Sequence, residues 1–600
     1  MSTLLHGLWP ITDAHTRRFG GLAGLVLIIT GVLGVGAAYL PWAYGADALD
    51  NMTFLGGPSG VQFMGLTLGA LTAGSAAGVR VAAGAGSAAS AFGRFSWDRA
   101  AKATTTGWLV LMVLVISAVA LELGGLVNVE YGGWVALVLA VVAWAAARLL
   151  PSGPDATLNR TVLPAAVEIL IIAGLMAAAL FGAAYALEID DPGTFVVFIV
   201  FVIALALTLV RAGVGGFLSR VSERHRAVLV FAAFAVAFAF PFTQHGSNAN
   251  MSIATQVLIF AATALGLNIV VGLAGLLDLG YIAFLAAGAF TAATLSRSAF
   301  ATIDWHPPFP IVMLISGLIA AICGLIIGSP TLRVSGDYLA IVTLAFGEIF
   351  RITMNNLDGS DGPDLTHGSN GIYAIPDLNL FGFDFGETHL LLGVPIPRFA
   401  NYYFLLLVVL GVIIVIVRNL NASRIGRGWV AIREDEKAAE AMGVNVFGLK
   451  LFAFAGGAFL AGAAGSVKAY VDRSVTPDQY VFLESAFLLA AVVLGGMGTI
   501  VGVLVGATLL KLAPEKLRFV AEYRLLIFGA LLIVMMRFRP EGLVPSTRRQ
   551  LEFHADDEQL AQSIEEEAAE EAAPENVGTE DAAVESEPVL EPGPSGKDAR

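Results

Sequence analysis

The chain has 600 residues, of which 57% are hydrophobic and only 14% are charged, whereas soluble domains usually carry about 25% charged residues. This composition excludes an ordinary soluble protein and indicates one that lies in a membrane. Apolar runs of about 20 residues, long enough to cross a hydrocarbon core of ~30 Å, recur along the chain. Membrane spans, rather than soluble domains, are therefore the units to count.

The net charge of −14 comes entirely from the last 50 residues. Residues 551–600 hold 16 acidic residues against Lys597 and Arg600, and the remaining 550 residues carry 32 charges of each sign. Because this tail lacks the apolar content that would offset the entropy of ordering, we expect a disordered, solvating segment rather than a binding motif. The single cysteine, Cys323, excludes a disulfide framework within the chain.

Six apolar segments are predicted in the first third of the chain, at 20–42, 60–79, 107–127, 131–147, 165–187 and 194–210. The first follows Arg17 and Arg18 and is too long for a signal peptide, so we expect an uncleaved helix rather than an export signal. The connections 43–59, 128–130 and 188–193 contain no Lys or Arg, whereas the alternate connections are basic. The positive-inside rule therefore places the N-terminus and the basic linker 211–226 in the cytoplasm.

Nine apolar segments follow the linker, at about 227–243, 251–274, 280–296, 309–328, 337–353, 402–418, 450–470, 483–512 and 523–537. As one helix, the run 483–512 would be about 45 Å long, which exceeds the thickness of the bilayer core. The glycines at its centre, Gly495, Gly496 and Gly498, predict a break into two half-helices. Gly498, Gly502 and Gly506 recur every four residues, which predicts close packing against a neighbouring helix.

The charges near the end of this block do not follow the positive-inside rule. Lys511, Lys516, Arg518 and Arg524 fall where the count of spans puts the outside of the membrane. We therefore expect some segments to be re-entrant. Unwound backbone inside a membrane occurs where protein or water satisfies its polar groups, so such breaks indicate a translocation pathway.

No pattern of catalytic or metal-binding residues is found. The G-x-x-x-x-G-K-[ST] phosphate loop and clusters of Cys and His at metal spacing are both absent from the sequence. We therefore expect that this chain binds no metal or cofactor and does not itself hydrolyse ATP by that route.

Three acidic residues lie within or beside apolar segments: Asp278, Asp337 and Glu348. A charge at the centre of a membrane helix costs about 2.5–3.5 kcal/mol, so each needs a partner, a cavity or a helix end. Asp278 lies between two glycines, where it either caps a half-helix or lines the pathway. Asp337 is expected at an N-cap, and Glu348 is expected to pair with Arg351 three residues later. These three residues and the glycines of the break are the candidates for the translocation pathway.

The segment 419–449 is basic and lies between two apolar segments, so we expect it in the cytoplasm. Residues 428–443 predict one short amphipathic helix ending at Gly443, with Trp429, Ile432, Ala439 and Met442 on one side. Two interpretations remain open at this point. The helix either lies on the membrane surface or is presented to a groove of a partner protein.

Five stretches together resemble a known family: GLNIVVGLAGLLDLGYIAF (266–284), RVSGDYLAIVTLAFGEIFRI (333–352), GRGWVAIREDEKAAEAMGVN (426–445), LGGMGTIVG (494–502) and EYRLLIFGALLIVMMRFRPEGLVP (522–545). They are similar to the M-type permease subunit of leucine/isoleucine/valine ABC importers over about 225–550. The resemblance implies an all-α, polytopic membrane helix bundle with broken or re-entrant helices, of the type II-like ABC importer class. In that family a second homologous permease pairs with the chain, two cytoplasmic ATPase subunits use ATP and Mg²⁺, and an extracytoplasmic binding protein delivers the amino acid.

The resemblance also assigns the ATPase-coupling loop. The family pattern E-A-A-x-x-x-G falls on Lys437, Ala438, Ala439 and Gly443, so the glutamate is replaced by lysine. Negative charge is expected instead from the residues just upstream, which complete the candidate loop: Arg433, Glu434, Asp435 and Glu436.

The sequence thus predicts four parts: an extension of about six spans (1–210), a basic cytoplasmic linker (211–226), a permease domain (227–550) and an acidic tail (551–600). We expect a multi-pass protein of the cytoplasmic membrane with both termini in the cytoplasm, in contact with lipid and with no nucleic-acid partner. The expected function is ATP-driven import of branched-chain amino acids. The alternatives are import of urea, amides or other amino acids by the same kind of permease, an ion-coupled secondary transporter, and a membrane receptor or scaffold.

Overall fold

The computed structural model describes residues 13–43, 59–82, 84, 92–151, 156, 158, 163–331, 338–360, 363–391, 393–516, 524–538 and 542–544. Asp337, Arg518 and the acidic tail 551–600 lie outside these described residues. Eleven of the described helices are long and apolar enough to cross a membrane. Two shorter apolar stretches accompany them: Gly21–Ala37, which is part of the first helix, and the helix Ile282–Thr294. The chain is a multi-pass membrane protein with the predicted all-α fold.

Helices occupy all six segments predicted in the first third of the chain. They are α1 (Asp13–Ala37), α2 (Gly60–Ala82), α3 (Trp97–Glu122), α4 (Tyr131–Arg148), α5 (Ala165–Glu188) and α6 (Pro192–Arg211). Their buried side chains form one apolar cluster around Leu27, Leu68, Trp108 and Leu111. The first third therefore has a hydrophobic core of its own.

The basic linker contains a short helix, α7 (Val214–Arg224). Its apolar residues Phe217 and Val221 are buried against Ile172 of α5. Glu168 of α5 is also buried, and its carboxylate contacts His225 at 2.9 Å and Arg224 at 3.3 Å. A buried carboxylate needs such partners, so the linker is anchored to the extension through Glu168.

The described part of the second block contains twelve α-helices in chain order. They are α8 (Arg226–Thr243), α9 (Asn248–Asn268), α10 (Ile282–Thr294), α11 (Phe309–Thr331), α12 (Tyr338–Asn356), α13 (Arg398–Ala422), α14 (Arg424–Glu434), α15 (Glu436–Ala441), α16 (Val446–Asp472), α17 (Phe482–Gly495), α18 (Ile500–Lys516) and α19 (Arg524–Phe538). The largest apolar cluster of the chain joins α9, α10, α11 and α16 with α13, α17 and α18.

Two small hairpins interrupt the helical chain between α12 and α13. Strand β1 (Asn379–Leu380) pairs with β2 (Phe383–Asp384), and β3 (His389–Leu391) pairs with β4 (Val394–Ile396), both antiparallel. Asp377, which precedes the first hairpin, accepts a hydrogen bond from the Arg398 guanidinium at 2.6 Å. This ion pair ties the hairpins to the start of α13.

The bundle has two ends. Helices α14 and α15 lie at one end, which we call the coupling face. Helix α9 runs about 31 Å and α16 about 40 Å between the ends, at 1.5 Å per residue, so Asn248 and Asp472 lie at the other end, the opposite face.

The extension packs on the second block at the opposite face. The Lys516 ammonium is buried and donates to the carbonyl oxygens of Leu187 and Ile189, at 2.7 and 2.8 Å. Leu187 also packs with Phe240 and Met251 in one apolar cluster. Lys516 therefore satisfies carbonyl groups at the C-terminal end of α5 and holds the extension against α18.

Candidate functional site: coupling helices, helix breaks and a charged cavity

The first helix break follows α9. The helix widens into a π-helical turn at Ile269–Leu273 and then loses helical structure until α10 begins. Asn268, at the start of this turn, is buried, and its side-chain oxygen accepts a hydrogen bond from the Gly498 amide at 2.8 Å. The side chain of Asn268 therefore joins this break to the second one.

The second break separates α17 from α18, where the glycine pattern predicts it. Gly496 and Gly498 have φ of +121° and +80°, a region that side chains with a Cβ avoid. The two helices run antiparallel, and a Cβ on Gly506 would lie 3.0 Å from the Gly495 Cα. The prediction of close packing is therefore confirmed for Gly506 and for Gly502, where a Cβ would clash with the Gly495 carbonyl oxygen, while Gly498 faces the carbonyl of Gly272 instead. Helices α17 and α18 form a hairpin whose tip, residues 496–499, points to the coupling face.

A short C-terminal segment caps this hairpin. The amides of Leu543 and Val544 donate to the carbonyls of Leu494 and Gly495, at 2.8 and 3.0 Å. The last carbonyls of a helix have no partner within the helix. Residues 542–544 supply those partners, so the chain returns to the coupling face after α19.

The coupling segment contains two helices instead of the single one predicted over 428–443. Asp435 is extended, with φ −153° and ψ 108°, and its carboxylate accepts from the amides of Lys437 and Ala438 at 2.9 and 3.0 Å. Asp435 therefore ends α14 and acts as the N-cap of α15. Because a new helix begins there, the buried side of α15 does not continue the buried side of α14. This explains why Met442 is 84% exposed although it was predicted on the buried side.

The rest of the predicted apolar face is buried. Trp429 is fully buried and its indole donates to the Leu449 carbonyl at 2.8 Å. Ile432 and Ala439 are also buried. Gly443 has φ +80° and lies at the exposed end of α15, so the turn that follows the coupling helices is open to a partner.

The acidic residues upstream of Lys437 all have partners. Glu436 pairs with Lys450 at 2.7 Å and Glu434 pairs with Arg433 at 2.8 Å, while Asp435 is the N-cap of α15. The missing glutamate of the family pattern is therefore not replaced by a free carboxylate. What these residues provide is a fixed shape for the coupling turn.

Arg433 connects the coupling helices to both breaks. Its guanidinium donates to the Gly272 carbonyl at 2.9 Å, in the π-helical turn of the first break. The same guanidinium would lie 3.7 Å from a Cβ on Gly498, in the second break. A carbonyl released by a helix break needs a donor, and here the donor belongs to the cytoplasmic segment predicted from the sequence.

The other two described pathway candidates, Asp278 and Glu348, make different contacts. Asp278 is 1% exposed, and one of its carboxylate oxygens accepts from the Gly280 amide at 2.9 Å. Gly280 precedes α10, whose N-cap is Tyr281, so this contact does not cap the helix as one of the two interpretations expected. Its second oxygen is buried and has no hydrogen-bond partner among the described residues. Glu348 pairs with Arg351 as predicted, at 3.1 Å, and Arg351 extends the contact to Asp478. Glu348 is therefore neutralised locally on α12.

A polar cavity of about 380 Å³ near the opposite face was not predicted from the sequence. Its walls come from α9, α10, α16, α17 and α18, and four charged side chains line it: Lys468, Asp472, Glu484 and Lys511. Each of these residues lies at the end of an apolar segment, which is the only signal that the sequence offers. No group of three or more His, Cys, Asp or Glu suited to a metal ion occurs in the described part of the chain.

Comparison with known proteins agrees with this architecture. Residues 250–536 match the family described as branched-chain amino acid transport system / permease component. The high-affinity branched-chain amino acid transport system permease proteins LivM of Salmonella typhimurium and Escherichia coli are each 40% identical over 340 residues, 54% of this chain and 76% of theirs. The LivH permease protein of Escherichia coli is 31% identical over 125 residues, 20% of this chain and 40% of its own length.

No solved structure matches the chain. The matched region coincides with the block that contains both helix breaks, the coupling helices and the cavity. Because the chain covers three quarters of the LivM permeases at 40% identity, it belongs to the family of branched-chain amino acid transport system permeases.

Proposed function

We propose that this chain is the M-type permease subunit of an ATP-driven importer that carries leucine, isoleucine and valine across the cytoplasmic membrane. The observation that carries the proposal is the hydrogen bond from Arg433 to the Gly272 carbonyl. It links an exposed pair of cytoplasmic helices directly to a broken membrane helix. A surface helix that only rests on lipid has no need of such a contact.

In this proposal two partner ATPases bind the coupling helices α14 and α15, and their closure on ATP moves those helices. Trp429 and Lys450 hold the coupling helices to α16, because the indole bonds to Leu449 and the ammonium pairs with Glu436. The motion of α14 then reaches the breaks through Arg433. The similarity to LivH as well as LivM supports pairing with a second, related permease.

The competing function is an ion-coupled secondary transporter, for which broken helices would also be suited. The exposed turn around Met442 and Gly443 favours the ATP-driven importer, since an ion-coupled carrier has no partner to dock there. By the positive-inside rule this turn lies in the cytoplasm.

The test is uptake by proteoliposomes that contain this chain, its partner permease and the ATPase subunits, with binding protein supplied outside. We expect leucine uptake that requires ATP and binding protein and that survives ionophores. Uptake that needs an ion gradient but no ATP would establish the secondary transporter instead. Uptake of urea or amides in preference to leucine would reassign the substrate within the family.

A further inference from the structure

The 380 Å³ cavity combines two kinds of wall. Residues Ile259, Ile282, Leu285 and Leu488 form an apolar side, and charged groups form the other. Its volume lies within the range of about 300–1,000 Å³ that is usual for small-molecule sites. Apolar walls with a few placed charges are the usual composition of such a site.

One pair of charges in the cavity is satisfied internally. Lys468 pairs with Asp472 one helical turn away, and Asp472 also accepts from the Gln256 amide at 2.6 Å. The Lys468 ammonium lies 5.9 Å from the centre of the Tyr480 ring. This part of the wall is therefore neutral and held in place.

The other two charges have opposite signs. Glu484 lies in the first turn of α17, and Lys511 lies on α18 with its ammonium 5.7 Å from the centre of the Phe260 ring. Within the part of the chain that the structure describes, neither forms an ion pair. Ionisable side chains within a membrane bundle are costly unless a partner or a water-filled pathway stabilises them.

We propose that this cavity is the site at which the permease holds its substrate in transit, and that the substrate is a zwitterionic α-amino acid with a branched apolar side chain. Lys511 binds the α-carboxylate, Glu484 binds the α-ammonium, and the side chain packs on Ile282, Leu285 and Leu488. The assignment rests on the proposed importer function and adds the residues that recognise the substrate. An amino acid supplies both missing counter-charges at once, which neither a sugar nor an inorganic ion does.

The position of the cavity fits this role. Lys468 lies 22 residues beyond Val446, the first residue of α16, which places the cavity about 33 Å from the coupling helices at 1.5 Å per residue. The cavity is thus near the opposite face, where the proposed binding protein would deliver its amino acid. The helix breaks lie between this cavity and the coupling face.

The experiment uses the complete importer in proteoliposomes, with the variants Lys511→Met, Lys511→Arg and Glu484→Gln. Because charge-assisted hydrogen bonds are stronger than neutral ones, ATP-driven leucine uptake should fall tenfold or more in Lys511→Met and Glu484→Gln. Lys511→Arg should keep most of the uptake because it keeps the charge. The matched controls are Lys102→Met on α3 and Glu387→Gln in the hairpin region, both outside the cavity.

A labelling experiment keeps the result independent of folding. Cys323 is the only cysteine of the chain, so Gln479→Cys in a Cys323→Ser background places one thiol at a half-buried position on the cavity wall. Leucine should slow its reaction with a small methanethiosulfonate reagent, and leucinamide, which lacks the carboxylate, should protect much less.

The outcomes separate this inference from the proposed function. If the unaltered complex imports leucine with ATP but the charge variants transport normally, or leucine gives no protection, the cavity is not the substrate site. If the unaltered complex does not import leucine at all, the proposed function fails first. Loss of uptake in the controls to the same extent would also overturn the assignment, because the effect would then not depend on the cavity.

Discussion

Replacing Arg433 by methionine tests whether the coupling helices act on the membrane helices through this side chain. The substitution removes the 2.9 Å hydrogen bond from the guanidinium to the Gly272 carbonyl, in a partly buried position. A hydrogen bond from a charged group contributes about 1.5–3 kcal/mol. The ion pair of Arg433 with Glu434 is half exposed on the Glu434 side and adds less than about 1 kcal/mol.

If this contact carries the coupling, its loss should reduce coupling by a factor of about 10 to 150, because 1.36 kcal/mol corresponds to tenfold. We expect ATPase stimulation by leucine-loaded binding protein, and leucine uptake, to fall tenfold or more in Arg433→Met. The ATPase subunits should still co-purify, since Trp429 still anchors α14 through its bond to Leu449.

The control is Arg427→Met, in the same helix. Arg427 is exposed, and among the described residues its guanidinium donates only to the Ala422 carbonyl, at 3.3 Å, near the start of the same segment. The two variants remove the same charge from α14, but only one of them loses contact with the break. Normal stimulation in Arg433→Met, or equal loss in Arg427→Met, would refute the reasoning.

Four further predictions concern other parts of the chain. Gly443→Pro should reduce co-purification of the ATPase subunits, because proline fixes φ near −65° whereas Gly443 has φ +80°. Unchanged co-purification would show that this turn is not part of the docking surface. Lys516→Met should destabilise the packing of the extension by about 1.5–3 kcal/mol, since the carbonyls of Leu187 and Ile189 lose their donor. The measurement is the shift in thermal unfolding, and a shift equal to that of Lys102→Met would contradict this prediction. Deletion of 1–210 should leave leucine uptake measurable, and loss of uptake by a complex that still assembles would overturn this expectation. Reporter fusions should place the N-terminus and the tail in the cytoplasm, and a tail accessible from outside the cell would contradict that topology.

The positions of the helices could be predicted from the sequence because a bilayer selects by length and apolarity. Every predicted apolar segment contains a described helix. The break at 496–499 was also predictable, since one helix over 483–512 would be too long for the bilayer and its centre is rich in glycine. Lys511 and Lys516 were expected to indicate re-entrant segments, and they lie on the returning arm of the α17–α18 hairpin.

The coupling segment shows where prediction from periodicity fails. Residues 429–442 contain neither glycine nor proline, so no strong helix breaker in that stretch signals a helix end. The break arises because Asp435 adopts an extended conformation and uses its carboxylate to cap the next helix. Aspartate favours caps over helix interiors, whereas glutamate does not, so Asp435 was the one signal of a second helix start that the periodicity left out.

The contacts of Arg433 and the charged cavity were beyond prediction for a different reason. Arg433 and Gly272 are 161 residues apart, and the cavity draws its charges from three helices that are separate in the sequence. Each charge alone looks like the end of a span. Only the packing of α9, α16 and the α17–α18 hairpin brings them to one wall.

The α17–α18 hairpin contains both parts of the proposed mechanism. Its tip at Gly498 bonds to Asn268 beside the Arg433 contact, and its two arms carry Glu484 and Lys511 to the cavity. Helix α17 is about 21 Å long and α18 about 26 Å, at 1.5 Å per residue, and Gly506 packs closely against Gly495 between the two arms. We expect a displacement at the tip to move both charges together. In an importer of this design, the same hairpin would sense the coupling helices at one end and hold the two ends of the amino acid at the other.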